Sequence, residues 1–138
     1  MINKIKIFAL ALTGLLFASC TKMDDSGDFG GYWQMLTMEQ LSDGEIVLTN
    51  ADGVFYGVHG NTMKLSRPNV PTFLATYELS GDSLRLTTIY KRPYDEVVPP
   101  TELAPVGVDA TGSFLVEHIS SDRMVLKNTL YRLTFRKY

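Results

Sequence analysis

The sequence of 138 residues contains a single cysteine, Cys20, so no disulfide can form within one chain. The fold must therefore be held by burial and hydrogen bonds alone. A basic excess is also missing, because 13 basic residues stand against 15 acidic ones. This balance argues against nucleic acid as the main partner, and none is expected.

The first 20 residues have the pattern of an export signal. Two lysines precede the apolar run 7–17, which is too short to span a bilayer and has the length of a signal-peptide core. The motif Leu-Phe-Ala-Ser-Cys at 16–20 resembles the lipobox of bacterial lipoproteins. That resemblance implies that residues 1–19 are removed and that Cys20 is lipidated. An ordinary secretory signal with an incidental cysteine is the alternative interpretation.

Residues 20–28 are predicted to be the lipidated cysteine and an acidic tether. Removal of residues 1–19 leaves 11 basic and 15 acidic residues, a net charge near −4. The tether cannot bury apolar surface and should stay solvated. Its Asp24 and Asp25 resemble the surface-export signal of some Gram-negative outer-membrane lipoproteins, and a plain spacer is the alternative. We expect an outer-membrane lipoprotein, facing the periplasm or the cell surface, with the membrane as a partner through acylated Cys20.

From Gly31 onward the apolar residues recur with period two. One eight-residue pattern occurs at 58–65, 79–86 and 119–126: apolar, any, small, Asn or Asp, any, apolar, any, Leu. A small residue followed by Asn or Asp is typical of a tight hairpin turn. Three such hairpins predict an antiparallel meander.

The predicted fold is all-β: an up-and-down antiparallel meander of eight or nine strands that closes into a barrel over residues 29–138. Closure removes the exposed strand edges that invite aggregation. The predicted strands are 31–40, 45–49, 54–59, 62–66, 73–79, 83–91, 113–120, 123–128 and 130–137. The residues expected to face inward are Trp33, Met63, Leu65, Tyr77, Leu79, Leu84, Leu86, Ile119, Met124, Leu126, Leu133 and Phe135.

The motif Gly31-Tyr32-Trp33 at the start of the first strand resembles the Gly-Xaa-Trp signature of the lipocalins. The last strand is similar to that of small bacterial lipocalin-like lipoproteins. The resemblance implies a lipocalin-like barrel in which Trp33 plugs the floor and an arginine of the last strand packs across it. Arg132 and Arg136 are the candidates for that arginine.

Residues 91–112 interrupt the alternating pattern and contain four of the six prolines. Proline cannot donate to a strand ladder, so no strand is predicted here, and 101–104 could form one helical turn. The segment is either a lid over one barrel end or an insertion packed on the wall. A lid would direct its tyrosine and apolar side chains inward. The candidate ligand-binding residues are Tyr77, Tyr90, Tyr94, Val97, Val98 and Leu103.

Catalytic, metal and cofactor sites are not predicted. His59 and His118 lie beside hairpin turns without metal-ligand spacing, and no serine lies in a nucleophile elbow. The sequence favours a non-enzymatic binding module for a small apolar ligand, which an apolar cavity would support. The alternative is an interaction or inhibitor subunit of a cell-surface complex, with a filled barrel and a surface protein as partner. An enzyme would need converging polar groups inside the barrel.

Overall fold

The computed structural model describes residues 28–138, whose regular structure from Gly31 onward comprises ten strands and two 3-10 helices. The strands are β1 (Gly31–Gln40), β2 (Ile46–Thr49), β3 (Phe55–His59), β4 (Thr62–Arg67), β5 (Val70–Ser80), β6 (Ser83–Lys91), β7 (Glu96–Val97), β8 (Ser113–Ile119), β9 (Arg123–Lys127) and β10 (Tyr131–Lys137). The 3-10 helices are Asn50–Asp52 and Pro100–Val106. The predicted signal peptide, Cys20 and most of the tether lie outside the described residues.

Eight of these strands close into an antiparallel barrel in the order β1-β3-β4-β5-β6-β8-β9-β10. The last strand returns to the first, with Trp33 opposite Lys137 and Gln40 opposite Tyr131. The short β2 continues the β3 side of β1, and β7 pairs with β6. The predicted all-β, closed, up-and-down barrel is therefore confirmed.

The nine predicted strands are all present, and most of their ends lie within one residue of the predicted ones. The predicted helical turn is also present, as the second 3-10 helix. The prediction that 91–112 contains no strand is wrong, because Glu96 and Val97 pair with β6. These two residues lie between prolines and keep their own N–H groups, so proline nearby does not prevent a short ladder.

Side chains fill the barrel interior. The residues with no accessible surface are Phe29, Trp33, Met35, Val54, Tyr56, Met63, Leu65, Ala75, Leu84, Leu103, Val106, Met124, Leu126, Leu133 and Phe135. A side chain that borders a water-sized cavity keeps some accessible surface, and these keep none. The part of the interior that they line therefore contains no water-sized cavity.

Most of the predicted inward residues lie in this core, and three of them are buried only in part. Tyr77, Leu79 and Ile119 are partly buried and pack against the core from its margin. Leu79 and Ile119 lie near the ends of β5 and β8, beside the hairpins at the rim of the barrel. Tyr77 follows a register shift in the pairing of β5 with β6.

The second 3-10 helix closes the barrel end opposite the start of β1, here called the top. Leu103 and Val106 are fully buried, and the Tyr56 hydroxyl donates to the Val106 carbonyl oxygen. Burial raises the pKa of Tyr56 far above its ordinary value. Arg67 Nη1 also donates to the Pro105 carbonyl oxygen, at 2.9 Å. This part of the 91–112 segment is thus integrated into the core.

Asp109 fastens the end of the segment to the turn between β9 and β10. Its Oδ1 accepts from the backbone N–H of Thr111 at 2.9 Å and from the Thr111 hydroxyl. Its Oδ2 accepts from the backbone N–H of Thr129 at 2.8 Å and from the Thr129 hydroxyl at 2.7 Å. Burial raises the pKa of Asp109, but the hydrogen bonds from Thr111 and Thr129 outweigh it and hold that pKa below its usual value.

Asp109→Asn should lower the free energy of unfolding at pH 7 by roughly 1.5–3 kcal/mol, the value of hydrogen bonds to a charged group. In the wild type, the contribution of ionised Asp109 to the free energy of unfolding should be complete above the pKa of about 3.9 that aspartate has in the unfolded chain. It should disappear as pH falls through the lower pKa of Asp109 in the folded protein. Urea unfolding at pH 7 and in acid measures both effects. Asp82→Asn, at an exposed hairpin position, is the matched control. Equal stability of the two variants at pH 7 would contradict the assignment.

Candidate functional site

The predicted residues of the 91–112 segment do not share one face. Val98 and Leu103 are buried, whereas Tyr94 and Val97 are 91% and 63% exposed. Their predicted inward orientation is wrong for Tyr94 and Val97. For Val97 the reason is strand alternation, because it lies opposite Tyr90 on the outer wall and the next residue, Val98, turns inward. Tyr94 lies in the exposed turn between β6 and β7.

Tyr77 and Tyr90 lie at different heights of the barrel. Tyr77 is at the floor, the end where β1 begins, and its hydroxyl donates to the Gly60 carbonyl oxygen at 2.6 Å. Its ring also meets Phe29 edge-on, with centroids 5.3 Å apart. Tyr90 is on the outer wall beside Leu74. The six candidate ligand-binding residues therefore do not converge on one interior site.

Trp33 is fully buried at the floor. Its Nε1–H donates to the Phe29 carbonyl oxygen at 2.8 Å. Lys137 Nζ lies 4.7 Å from the indole centroid and donates to the Asp28 carbonyl oxygen at 3.0 Å. The indole is thus enclosed by the chain that enters β1 and by a cation from the end of β10.

This cation replaces the arginine expected from the lipocalin resemblance. Arg136 Nε donates to Gln34 Oε1 at 2.8 Å, and Arg132 Nε donates to Glu117 Oε1 at 2.7 Å, which lowers the pKa of Glu117. Residues of β10 alternate between faces, and Lys137 is the one directly opposite Trp33. The two arginines belong to outer-wall contacts.

The outer wall carries an open groove between β4, β5 and the turn that follows β6. One part is a cavity of about 410 Å³, and an adjoining part has about 170 Å³. The two parts share Leu74 and Arg92. Hereafter "the groove" means the surface formed by Lys64, Thr72, Leu74, Tyr90, Arg92 and Asp95.

Strand pairing forms the base of the groove. Leu74 lies directly between Lys64 of β4 and Tyr90 of β6. The turn above them reverses at Asp95, which has a φ of 53°, a conformation that aspartate tolerates better than most residues. Arg92 Nη1 holds the turn by donating to Asp95 Oδ1 at 2.7 Å.

The groove combines apolar surface with positive charge. Within residues 28–138, Lys64 forms no ion pair with a carboxylate, whereas Arg92 is paired with Asp95. Leu74 and Tyr90 are partly exposed and provide apolar surface at the base of the groove. The larger part, at about 410 Å³, falls within the range of roughly 300–1,000 Å³ typical of small-molecule sites.

A second cavity of about 280 Å³ lies beside Asp109 and is lined partly by Phe114 and Leu115. Both carboxylate oxygens of Asp109 are already occupied by hydrogen bonds. In the part of the chain described, three metal-ligating side chains do not come together anywhere. None of the helices in that part is long and apolar enough to cross a membrane.

Sequence reasoning identified only Tyr90 among the groove residues. The signal for the others is cross-strand register, which brings Lys64, Leu74 and Tyr90 into one row although 26 positions separate the first from the last. Apolar periodicity assigns residues to faces and does not show which outward residues become neighbours.

Comparisons with known proteins agree with the barrel. The sequence profile of the lipocalin-like domain family matches residues 15–138. A lipocalin-like protein from Bacteroides uniformis ATCC 8492 is 22% identical, with a TM-score of 0.58 over 80% of this chain and 99% of that one. An uncharacterized protein from Bacteroides eggerthii DSM 20697 is 24% identical, with a TM-score of 0.55 over 79% of this chain and 98% of that one. At these identities the likeness concerns the fold. A search of curated proteins finds no match.

Proposed function

The chain belongs to the lipocalin-like domain family, and from this premise we propose that it is a membrane-anchored, non-enzymatic binding module that uses its outer wall. The family is generally a binding fold without catalytic activity. Lipid on Cys20 would fix the domain to the outer membrane, facing the periplasm or the cell surface. The ligand would occupy the groove rather than the barrel interior.

The observation that carries this proposal is the contrast between a filled interior and an open groove. A ligand inside the barrel would have to displace side chains such as Met63, Met124 and Leu126, which keep no accessible surface. Displacing packed core side chains costs several kcal/mol, since both contacts and burial are lost. The groove is open to solvent and requires no such displacement.

The chemistry of the groove favours an amphipathic anion over a wholly apolar ligand. Lys64 and the Thr72 hydroxyl could hold a carboxylate or another anionic head, with Arg92 beside them. Leu74 and Tyr90 would contact the apolar body of the ligand. The small apolar ligand expected from the sequence is thus narrowed to one with an anionic end.

Lys64→Gln should weaken binding of a fluorescent fatty acid, 11-(dansylamino)undecanoic acid, about fivefold. This corresponds to the roughly 1 kcal/mol of an ion pair at an exposed site. Titration of the dansyl emission measures the dissociation constant. The methyl ester of the probe should bind the wild type more weakly and should not distinguish Lys64→Gln from it.

Arg123→Gln makes the same change of charge on the outer wall of β9 and should leave probe affinity unchanged. If Lys64→Gln bound the acid as tightly as the wild type, the groove would not be the anionic site. If the wild type bound no probe at all, the proposed ligand class would be wrong.

A protein-interaction or inhibitor subunit of a cell-surface complex is the second candidate. The filled interior and the exposed Tyr94 and Val97 beside the groove favour it, because exposed apolar side chains often mark interfaces. A photo-crosslinker placed at position 94 in intact cells would then capture one protein, and the crosslink should disappear in Val97→Asp. If no crosslink formed and the protein did bind the probe, the small-molecule function would be favoured.

A further inference from the structure

Three aromatic rings form an exposed cluster on the outer wall near the floor. Tyr32 and Phe55 stack with centroids 4.8 Å apart and an interplanar angle of 12°. Tyr138 meets both rings edge-on, at 6.1 Å from Tyr32 and 5.4 Å from Phe55. Tyr138 is 75% exposed and Tyr32 is 42% exposed. These three residues are called the aromatic patch below.

The backbone fixes the aromatic patch in place. The Tyr138 N–H donates to the Tyr32 carbonyl oxygen at 2.8 Å. Gly57 lies opposite Tyr32 in the ladder and leaves room for the ring, since a Cβ there would be 3.2 Å from Tyr32 Cδ1. The three rings are therefore packed against one another, and Tyr32 and Tyr138 still expose much of their surface to solvent.

The aromatic patch lies at the end of the barrel where the tether arrives. Asp28 contacts this end through its carbonyl oxygen, which accepts from Lys137 Nζ. Asp28 comes eight positions after Cys20, and a fully extended chain spans at most about 29 Å over eight Cα-to-Cα steps. A lipid on Cys20 must therefore lie within that distance of the floor, so the floor end of the barrel is held close to the bilayer.

We propose that the aromatic patch docks the barrel on the lipid surface that holds Cys20, with the three rings at the level of the headgroups. The inference rests on the lipid anchor of the proposed function. Tyrosine suits this position because its ring is apolar and its hydroxyl stays wet, and aromatic residues are enriched at membrane interfaces. Without residues 1–19 the chain has 11 basic and 15 acidic residues and a net charge near −4, so electrostatic attraction to anionic lipid does not drive the docking. A short tether gives a local concentration in the millimolar range, at which weak docking suffices.

Trp33 provides an internal reporter, because it is the only tryptophan and is adjacent to Tyr32 in β1. The protein as purified from cells is reconstituted in phosphatidylcholine vesicles that contain lipid with a nitroxide on carbon 5 of the acyl chain. We expect nitroxide lipid to quench Trp33 in the wild type. Tyr138→Ser, and Tyr32→Ser with Tyr138→Ser, should lose at least about half of that quenching, because the interfacial aromatic contact is removed. Leu115→Ser, on β8 and three strands away from β1, is the matched control and should be quenched like the wild type.

Sedimentation of the same vesicles separates the two proposals. Quenching of Tyr138→Ser equal to that of the wild type, in protein that pellets with vesicles and keeps the wild-type circular dichroism spectrum, would overturn the docking while leaving the anchor intact. A wild-type protein that stays in the supernatant would overturn the anchor, and the docking with it. Tyr138 is largely exposed and lies outside the core, so this variant should fold even if the double variant does not.

Discussion

Trp33→Ala should lower the free energy of unfolding by roughly 3–5 kcal/mol, the usual cost of truncating a buried tryptophan. The indole is fully buried, its N–H is bonded to the Phe29 carbonyl oxygen, and Lys137 covers its ring. The change would leave a cavity, an unpaired carbonyl oxygen and an uncovered cation together. Thermal or urea unfolding followed by circular dichroism measures the loss.

Tyr94→Ala is the control for Trp33→Ala, because it removes an aromatic ring that is 91% exposed and should change stability by less than about 0.5 kcal/mol. The loss of unfolding free energy in Trp33→Phe should lie between those of Trp33→Ala and Tyr94→Ala, since phenylalanine keeps part of the ring volume but cannot make the hydrogen bond. A Trp33→Ala protein that unfolds at the wild-type urea concentration would contradict the role of Trp33 as the plug of the floor.

Cys20→Ala should transfer the protein from the membrane to the soluble fraction. Each buried methylene of an acyl chain contributes about 0.8 kcal/mol, so two or more chains hold a protein firmly whereas the bare domain has no such anchor. Fractionation of cells in detergent-free buffer measures the transfer, and the mass of the mature protein reports the lipid directly.

Ser19→Ala is the matched control for Cys20→Ala. It keeps a small residue before the expected cleavage point and keeps the thiol, so this variant should remain in the membrane fraction with its lipid. If Cys20→Ala still pelleted with membranes after a salt wash, the motif at 16–20 would not act as a lipobox.

The strands could be predicted from the sequence because hairpin chemistry and alternation are local signals. Gly60 and Gly81 adopt positive φ values of 59° and 60° at the first two repeated hairpins, where a side chain would be strained. The apolar residues that follow each turn then return to one face. Local turns plus period two therefore determined the order and the approximate ends of the strands.

The filled interior could not be predicted from the same pattern. Whether a small barrel holds a ligand depends on the summed volume of all inward side chains, and Met35, Tyr56 and Phe73 were not among the predicted inward residues. The first strand has apolar residues on both faces, so its inward set was ambiguous. Leu103 and Val106 also enter from the 91–112 segment, where no periodicity indicates a face.

Long-range register explains the other differences. The cation above Trp33 is Lys137 because the pairing of β1 with β10 puts these two residues opposite each other. The groove depends in the same way on the pairing of β4, β5 and β6. A slip of one residue would turn each of these side chains to the other face, and no local signal reports such a slip.

The central claim is that ligand binds outside a filled barrel, and nuclear magnetic resonance of methyl groups tests it most directly. Protein labelled at its methionine and leucine methyls is titrated with 11-(dansylamino)undecanoic acid. The account predicts that the methyl resonances of Leu74 change their chemical shift as probe is added, while those of the fully buried Met35, Met63 and Met124 do not. Shifts at the three buried methionines with Leu74 unmoved would contradict it, because the ligand would then lie inside the barrel.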